Sequence, residues 1–183
     1  DNAFLKKIAG GLNLISYGSE DGLYISGHVT GNSPYLAFEW KAGKDGERHE
    51  VKTQLIGEYN FPNALAAITI GRLFDVEPEK IDIALAEYAP QNNRSQLKQT
   101  ADNTLIIDAY NANPTSMQAS ISNFHNMKVE NKMLILGDMR ELGKDGPEEH
   151  QKIADFLTEC GFKNVMLVGE QFAAAKHNFP TYP

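Results

Sequence analysis

Alternating apolar and polar residues in the first half of the chain predict a small, mainly antiparallel sheet. The segments with this pattern are Asn13–Tyr17, Leu23–Val29, Tyr35–Trp40 and His49–Leu55. Such alternation is typical of strands with one face on a core and the other in solvent. Residues 18–22 and 42–47 are rich in glycine and charged side chains, which favours turns between the strands.

The pattern then changes to that of helices. Residues Asn63–Phe74 are mostly apolar, which predicts a helix buried on most of its sides. A second helix is predicted from Glu77 to about Tyr88, because Pro78 suits a first helical turn. The polar segment Ala89–Asn93 follows, and it predicts a boundary between one domain over residues 1–90 and another over residues 91–183.

Strands and helices alternate in the second half. The predicted strands are Thr104–Asp108, Lys132–Leu136 and Asn164–Val168, and the predicted helices are Ser116–Met127 and Glu148–Cys160. Continuous apolar strands separated by helices predict a parallel sheet of the α/β class. Ligands of such sheets bind beyond the carboxyl ends of the strands, so the residues after Asp108, Gly137 and Gly169 are candidates for a site.

Composition narrows the class of protein. The chain has 183 residues, of which 42% are hydrophobic and 22% charged, as in folded domains. Its net charge of −7 argues against a nucleic-acid-binding surface, and no apolar run is long enough to span a membrane. A single cysteine, Cys160, excludes an internal disulfide, so the cytoplasm is the expected compartment. The chain begins at Asp1 without a methionine, and we expect it to be part of something longer.

Two loops carry candidates for nucleotide binding. Asn60 and Asn63 stand where a helix begins, and their amides suit the edge of a purine ring, although either residue would also serve as a helix N-cap. Arg94 lies at the predicted domain boundary and could reach a phosphate with its planar guanidinium. The alternative for Arg94 is an ordinary solvated side chain.

Further candidates follow the predicted parallel strands. Asp108 ends a strand, where a carboxylate can accept hydrogen bonds from a ribose. Tyr110, Asn111 and Asn113 come next and could hold a substrate, although asparagine and proline also form turns and cap helices. Asp138 follows the next strand at the same predicted edge. His150 either faces the Asp138 loop or is an exposed helical histidine, and we expect it to be exposed.

These motifs together resemble the Mur ligases. The resemblance rests on the segment from Gly57 to Ala67, on Arg94, on the string Asp-Ala-Tyr-Asn-Ala-Asn-Pro from Asp108, and on Leu-Gly-Asp-Met-Arg-Glu-Leu-Gly from Leu136 with His150. Their order and spacing match the family over nearly the whole chain. The resemblance implies an ATP-dependent amide ligase of peptidoglycan synthesis that joins D-alanyl-D-alanine to UDP-N-acetylmuramoyl-tripeptide through an acyl phosphate.

The family has three domains, and the resemblance places this chain in two of them. Residues 1–90 correspond to the tail of the central ATP-binding domain, a small mainly antiparallel sheet with helices. Residues 91–183 correspond to most of the Rossmann-like, parallel-sheet C-terminal domain. The P-loop, a carbamylated lysine and the magnesium ligands would lie before Asp1, so no catalytic or metal-binding residue is expected here and the chain by itself should be inactive. A monomer is the family-based default.

The resemblance also implies a role for each candidate. Asn60 and Asn63 match residues that contact adenine, Arg94 matches the arginine that reaches the nucleotide, and Asp108 matches the acid on the ribose of ATP. The residues expected to face the substrates are Tyr110, Asn111, Asn113 and Asp138, the last near the incoming dipeptide.

Two departures and two alternatives stand beside this interpretation. Tyr59 replaces a histidine frequent in the family, and Asn93 replaces a glycine before Arg94; asparagine tolerates the left-handed backbone that such a turn requires.

A folylpolyglutamate or cyanophycin synthetase would share the fold, but the Tyr-Asn-Ala-Asn-Pro string argues against it. A non-catalytic binding module that keeps only the fold is the other alternative.

Overall fold

The computed structural model describes residues 7–91 and 93–183. They form two compact units. Unit 1 contains the described residues up to Gln91 together with Ser95–Leu97, and unit 2 contains Asn93, Arg94 and Lys98–Pro183. Asn92, in the predicted boundary segment, lies outside the described residues. Both units combine strands with helices, so the predicted α/β class is confirmed.

Unit 1 contains a four-stranded sheet in the order β1-β2-β3-β4. The strands are β1, Tyr17–Gly18; β2, Ile25–Asn32; β3, Tyr35–Ala42; and β4, Arg48–Ile56. The pairs β2–β3 and β3–β4 are antiparallel, and β1 lies parallel to β2. Side chains alternate along β3, where Leu36, Phe38 and Trp40 are buried. The mainly antiparallel sheet predicted for this half is therefore confirmed.

The first predicted strand, Asn13–Tyr17, is largely wrong. Of its residues only Tyr17 lies in a strand, while Leu14 and Ile15 are 58% and 44% exposed. Pairing with β2 begins only at Ser16, whose carbonyl oxygen accepts hydrogen bonds from the main chain of Tyr24 and Ile25. Alternation alone does not supply a neighbouring strand, so the earlier residues do not become extended ladder positions.

Two helices follow the sheet of unit 1. A 3-10 turn at Glu58–Asn60 leads into α1, Phe61–Leu73, and α2 spans Pro78–Glu87. One face of α1, including Leu65 and Ile68, packs into the core formed with the sheet. The prediction that this helix is buried on most sides is wrong, because its apolar residues encircle it and only one face meets the sheet. The opposite side leaves Ile70, Leu73 and Phe74 exposed.

Unit 2 holds a three-stranded parallel sheet in the order β7-β8-β9. The strands of unit 2 and its border are β5, Gln96–Gln99; β6, Thr104–Ile107; β7, Leu134–Gly137; β8, Val165–Val168; and β9, Thr181–Tyr182. The helices are α3, Pro114–Asn126; α4, Gly146–Glu159; and α5, Glu170–Ala174, with a 3-10 turn at Gly143–Asp145 before α4. Apolar residues of α3, α4, α5, β7 and β8 form one core.

One predicted strand of the parallel sheet is placed differently. Thr104–Ile107, β6, forms a two-stranded sheet with β5. The main-chain N–H of Thr100 donates to the carbonyl of Asn103 at 2.8 Å and closes a tight turn between these strands. The polar residues just before β6 therefore give it a local partner, which apolar periodicity does not reveal. No helix formed by the described residues is long and apolar enough to cross a membrane.

Candidate functional site

A cavity opens in unit 2 beyond the carboxyl ends of β7 and β8. Its volume is about 520 Å³. It is lined by Asp138, Met139, Arg140, Leu142, Gly143, Gly146, Gly169, Glu170, Gln171 and Pro183. The first of these residues follow β7 and others follow β8, as expected for ligand sites at this edge of a parallel sheet. The volume lies within the range of about 300–1,000 Å³ typical of small-molecule sites.

Asp138 is tied into the wall of this cavity. Its two carboxylate oxygens accept main-chain N–H bonds from Gln171 and Phe172, both at 3.0 Å. Its own N–H donates to the carbonyl of Val168 at 3.0 Å. Gly169 makes room for the carboxylate: its φ is +120°, and a Cβ there would lie 2.2 Å from Cγ of Asp138. Asp138 thus joins the loop after β7 to the start of α5.

His150 is fully buried, so the expectation of an exposed helical histidine is wrong. Nε2 accepts the N–H of Met139 at 3.0 Å, so the ring proton sits on Nδ1, which donates to the carbonyl of Gly146 at 2.6 Å. Nε2 also lies 3.5 Å from Oδ1 of Asp138, but a nitrogen that accepts a hydrogen bond is not the cation of an ion pair. The ring fixes the main chain of the cavity loop, and the Phe172 ring packs edge-on at 4.7 Å.

The segment after β6 combines capping with exposed polar groups. Asn113 caps α3: its Oδ1 accepts the N–H of Ser116 at 2.9 Å, which confirms the capping interpretation. Asp108 lies at the end of β6, and its Oδ2 accepts a hydrogen bond from the Ser120 hydroxyl at 2.9 Å. Nδ2 of Asn111 lies 3.4 Å from Oε2 of Glu141, a weak contact between two neighbouring loops.

Arg94 is not simply a solvated side chain. Its guanidinium carbon lies 3.7 Å from the centroid of the Tyr110 ring, and both residues belong to unit 2. The N–H of Ala109 donates to the carbonyl of Asn93 at 2.7 Å and holds the two segments together. Asn93 has a φ of +53°, so the prediction that asparagine keeps the left-handed turn before the arginine is confirmed. This stacking had no signal in the sequence, since the partners are distant along the chain.

The two candidate asparagines of unit 1 lie at the start of α1. Asn60 stands at the N-cap, yet its side chain forms no cap hydrogen bond, so the interpretation of Asn60 as a capping side chain is wrong. Instead, its Nδ2 donates to the carbonyl of Ile56 at 2.9 Å. Its Oδ1 accepts a 3.3 Å hydrogen bond from Nδ2 of Asn63, which is exposed. The hydroxyl of Tyr59 hydrogen-bonds to that of Ser95 at 2.6 Å.

Two charged residues of the cavity were not among the predicted site residues. Arg140 and Glu170 line it, and both are exposed. Glu170 directly follows Gly169, one of the strand ends at which the sheet rule predicts ligands. In the part of the chain that the structure describes, no group of three or more His, Cys, Asp or Glu side chains could hold a metal ion.

Comparison with known proteins identifies the protein family. Residues 93–178 match the family model described as Mur ligase, glutamate ligase domain. The chain belongs to the Mur ligase family, and the resemblance predicted from its motifs is confirmed.

Particular relatives point to one member of that family. The chain is 42% identical over 118 residues to the UDP-N-acetylmuramoyl-tripeptide–D-alanyl-D-alanine ligase of Bacillus subtilis, covering 63% of this chain and 26% of the relative. The crystal structure of MurF from Acinetobacter baumannii superposes with a TM-score of 0.80 at 27% identity, over 94% of this chain and 37% of that one. MurF from Thermotoga maritima in complex with ADP shares the fold, with a TM-score of 0.78 at 20% identity over 95% and 40%. The chain spans about a quarter of the length of the curated relatives it matches.

Proposed function

We propose that this chain is part of an ATP-dependent ligase that joins D-alanyl-D-alanine to UDP-N-acetylmuramoyl-tripeptide in peptidoglycan synthesis. The observation that carries the proposal is the family match over residues 93–178, together with relatives that bear this activity in their names. The cavity at the strand ends of unit 2 supports it, because a ligase must hold its incoming nucleophile in a fixed place. Monomer and cytoplasm complete the proposal as the family's defaults.

Each unit has a distinct part in the proposed enzyme. Residues 1–90 would be the C-terminal part of the ATP-binding domain, and residues 91–183 the Rossmann-like domain that brings in the dipeptide. The similarity of both units to MurF structures supports this division, since the alignment covers 94% of the chain. The sequence has no G-x-x-x-x-G-K-[ST] motif, so we expect these 183 residues alone to give no turnover.

The proposed nucleotide contacts are Asn60, Asn63, Arg94 and Asp108. ATP supplies the phosphoryl group that activates the substrate carboxylate, and a relative with the same fold has been solved with ADP. Asn60 presents an amide whose position is set by Ile56 and Asn63. Arg94 is exposed and its guanidinium stacks on the Tyr110 ring, and Asp108 is exposed at a strand end. These groups suit adenine, phosphate and ribose in turn.

Magnesium is assigned to no residue of this chain. The described residues offer no cluster of metal ligands, and Asn60, Asn63 and Arg94 do not form a magnesium site, which requires carboxylates and water. The proposal therefore places the magnesium ligands outside these 183 residues, in the parts of the enzyme that correspond to the rest of the relatives' length.

The proposed substrate-facing residues are Tyr110, Asn111, Asn113 and Asp138. Tyr110 is 64% exposed and carries the stacked Arg94, so it presents an aromatic edge with a positive charge above it. The Oδ1 of Asn113 already accepts the hydrogen bond that caps α3. Asp138 lines the cavity while its oxygens hold main-chain N–H groups, so it shapes the site more than it offers a free charge.

Phosphate release tests the proposal. A protein of the relatives' length that contains this chain is mixed with ATP, magnesium and UDP-N-acetylmuramoyl-tripeptide, and inorganic phosphate is followed with D-alanyl-D-alanine, D-alanine or L-glutamate as nucleophile. We expect sustained release only with the dipeptide. Release that is equal with L-glutamate, or turnover by the 183 residues alone, would contradict the proposal.

A further inference from the structure

We propose that Arg140 and Glu170 recognise the two charged ends of a zwitterionic dipeptide in the unit 2 cavity, and that Asp138 is a positioning residue there. The inference rests on the proposed function and assigns its nucleophile site residue by residue. Arg140 would bind the carboxylate and Glu170 the ammonium group. Neither residue belongs to the set predicted from the sequence.

The charged side chains that line the cavity differ in whether they already form hydrogen bonds or ion pairs within the described residues. Of the three charged side chains that line it, Asp138 accepts two main-chain N–H bonds and lies beside buried His150. Within residues 7–91 and 93–183, the side chains of Arg140 and Glu170 make no hydrogen bond or ion pair. These two charges are therefore the ones available to a ligand.

The geometry of the loops supports the division of roles. Arg140 follows Met139, whose N–H is held by the buried ring of His150 at 3.0 Å. Glu170 follows Gly169, whose N–H donates to the carbonyl of Tyr182 at 2.7 Å. The main chain next to each of these two charged residues is thus fixed by hydrogen bonds, and both residues line the cavity. A fixed main chain limits where these two side chains can place their charges, which favours a preorganised site.

The signs of the charges indicate the ligand class. One cation and two acids line the cavity, so a polyanion such as a nucleotide would meet net negative charge there. An arginine offers a planar fork that matches a carboxylate, and a glutamate accepts hydrogen bonds from an ammonium group. A small zwitterion satisfies both, and a volume of about 520 Å³ accommodates an amino acid or a short peptide.

Binding to the 183-residue chain tests the inference directly. The affinities of D-alanyl-D-alanine, of its C-terminal amide and of its N-acetyl form are measured by NMR titration for the native chain, Arg140→Gln and Glu170→Gln. We expect Arg140→Gln to weaken the dipeptide about tenfold and to leave the amide unchanged, because the amide lacks the group that Arg140 binds. Glu170→Gln should weaken the dipeptide and leave the N-acetyl form unchanged.

The matched control is Lys144→Gln, since Lys144 is an exposed cation in the same loop region that does not line the cavity. It should bind like the native chain. Equal weakening of dipeptide and amide by Arg140→Gln, unchanged binding, or no binding of any form would overturn the inference. In the longer protein, the Arg140→Gln variant is tested for phosphate release and for its KM for the dipeptide. Release only with D-alanyl-D-alanine and with the same KM as the native protein would overturn this inference while the proposed function stands.

Discussion

The two units use their partly buried polar groups for different purposes. In unit 1, Asp82 on α2 accepts hydrogen bonds from Nε1 of Trp40 at 2.7 Å and from Nδ1 of His49 at 2.8 Å, and the two rings stack at 4.6 Å. In unit 2, His150 and Asp138 bond mainly to the main chain around a cavity. The first cluster joins a helix to a sheet, whereas the second fixes the walls of a site.

This difference separates polar residues that stabilise from those that prepare a binding site. In the Asp82 cluster, both carboxylate oxygens accept hydrogen bonds from ring nitrogens of the sheet. The Asp138 cluster is also hydrogen-bonded, but it holds loops whose neighbouring charged residues, Arg140 and Glu170, line a cavity. A polar cluster thus indicates a site when the groups next to it remain unpaired.

The largest expected effect comes from Gly169→Ala in unit 2. The new Cβ would lie 2.2 Å from Cγ of Asp138, at a φ of +120° that L residues rarely adopt. Because Asp138 cannot remain in place, we expect unit 2 to lose about 3 kcal/mol of stability. Hydrogen exchange of the β8 amides measures this for unit 2 itself.

The control is Gly137→Ala, where nothing lies within 4 Å of the added Cβ. That variant should change the free energy of unfolding little. If Gly169→Ala exchanges its β8 amides as slowly as the native chain, Asp138 does not depend on this glycine and the description of the cavity wall is wrong.

The next largest effect is expected for Asp82→Ala in unit 1. The substitution leaves Nε1 of Trp40, a residue with 1% exposure, without its hydrogen-bond acceptor. We expect a loss of about 2 kcal/mol of stability. Trp40 is the only tryptophan, so its fluorescence during denaturant unfolding reports unit 1.

Glu79→Gln on the same helix serves as the control, since Glu79 is exposed and should change stability by no more than about 0.5 kcal/mol. An Asp82→Ala chain as stable as Glu79→Gln would mean that the cluster contributes nothing to unit 1. Dipeptide affinity should be the same in both variants, because Asp82 belongs to the unit without the cavity.

A smaller effect is expected where Arg94 stacks on Tyr110. An exposed cation over an aromatic ring contributes about 0.5–1 kcal/mol. A double-mutant cycle with Arg94→Gln and Tyr110→Leu should therefore give a coupling energy of that size in the unfolding of unit 2. A coupling energy of zero would show that the 3.7 Å approach has no energetic consequence.

The smallest effect is expected for Glu148→Gln on α4. Lys152, with its Nζ 2.8 Å from the Glu148 carboxylate, holds the pKa of Glu148 below its usual range, but the pair is exposed and screened by solvent. Any contribution is present above the ordinary pKa and is lost as the pH falls through the lowered one. We expect no measurable change in denaturant midpoint at pH 7; a clear loss of stability there would contradict the expectation that this exposed pair contributes little.

The sequence predicted periodic features and missed specific contacts. Alternation located β2, β3 and β4, and apolar runs located β7 and β8. The sequence also predicted helices α1 to α4, but it did not predict α5. It placed β6 in the parallel sheet, because strand periodicity does not identify the partner strand. The sequence also predicted that His150 is exposed. A lone histidine in a helix gives no sign that the N–H of Met139 lies within hydrogen-bonding distance of its ring.

The candidate site was predicted in the same uneven way. The rule for strand ends located Asp138 and the neighbourhood of Gly169, because it depends only on topology. The rule did not show that the side chain of Asp138 is hydrogen-bonded to other described residues whereas those of Arg140 and Glu170 are not. That distinction depends on contacts between loops that are distant in the sequence. The capping role of Asn113 and the unused cap at Asn60 also required coordinates.

The central claim is that the unit 2 cavity holds the incoming dipeptide. The most direct test is an NMR titration of the ¹⁵N-labelled 183-residue chain with D-alanyl-D-alanine. We predict saturable shifts confined to the amides around the cavity, above all Gly143, Gly169 and Gln171, with the amides of β2 to β4 unmoved. Saturable shifts centred on unit 1, or no saturable shift at any amide, would contradict the claim.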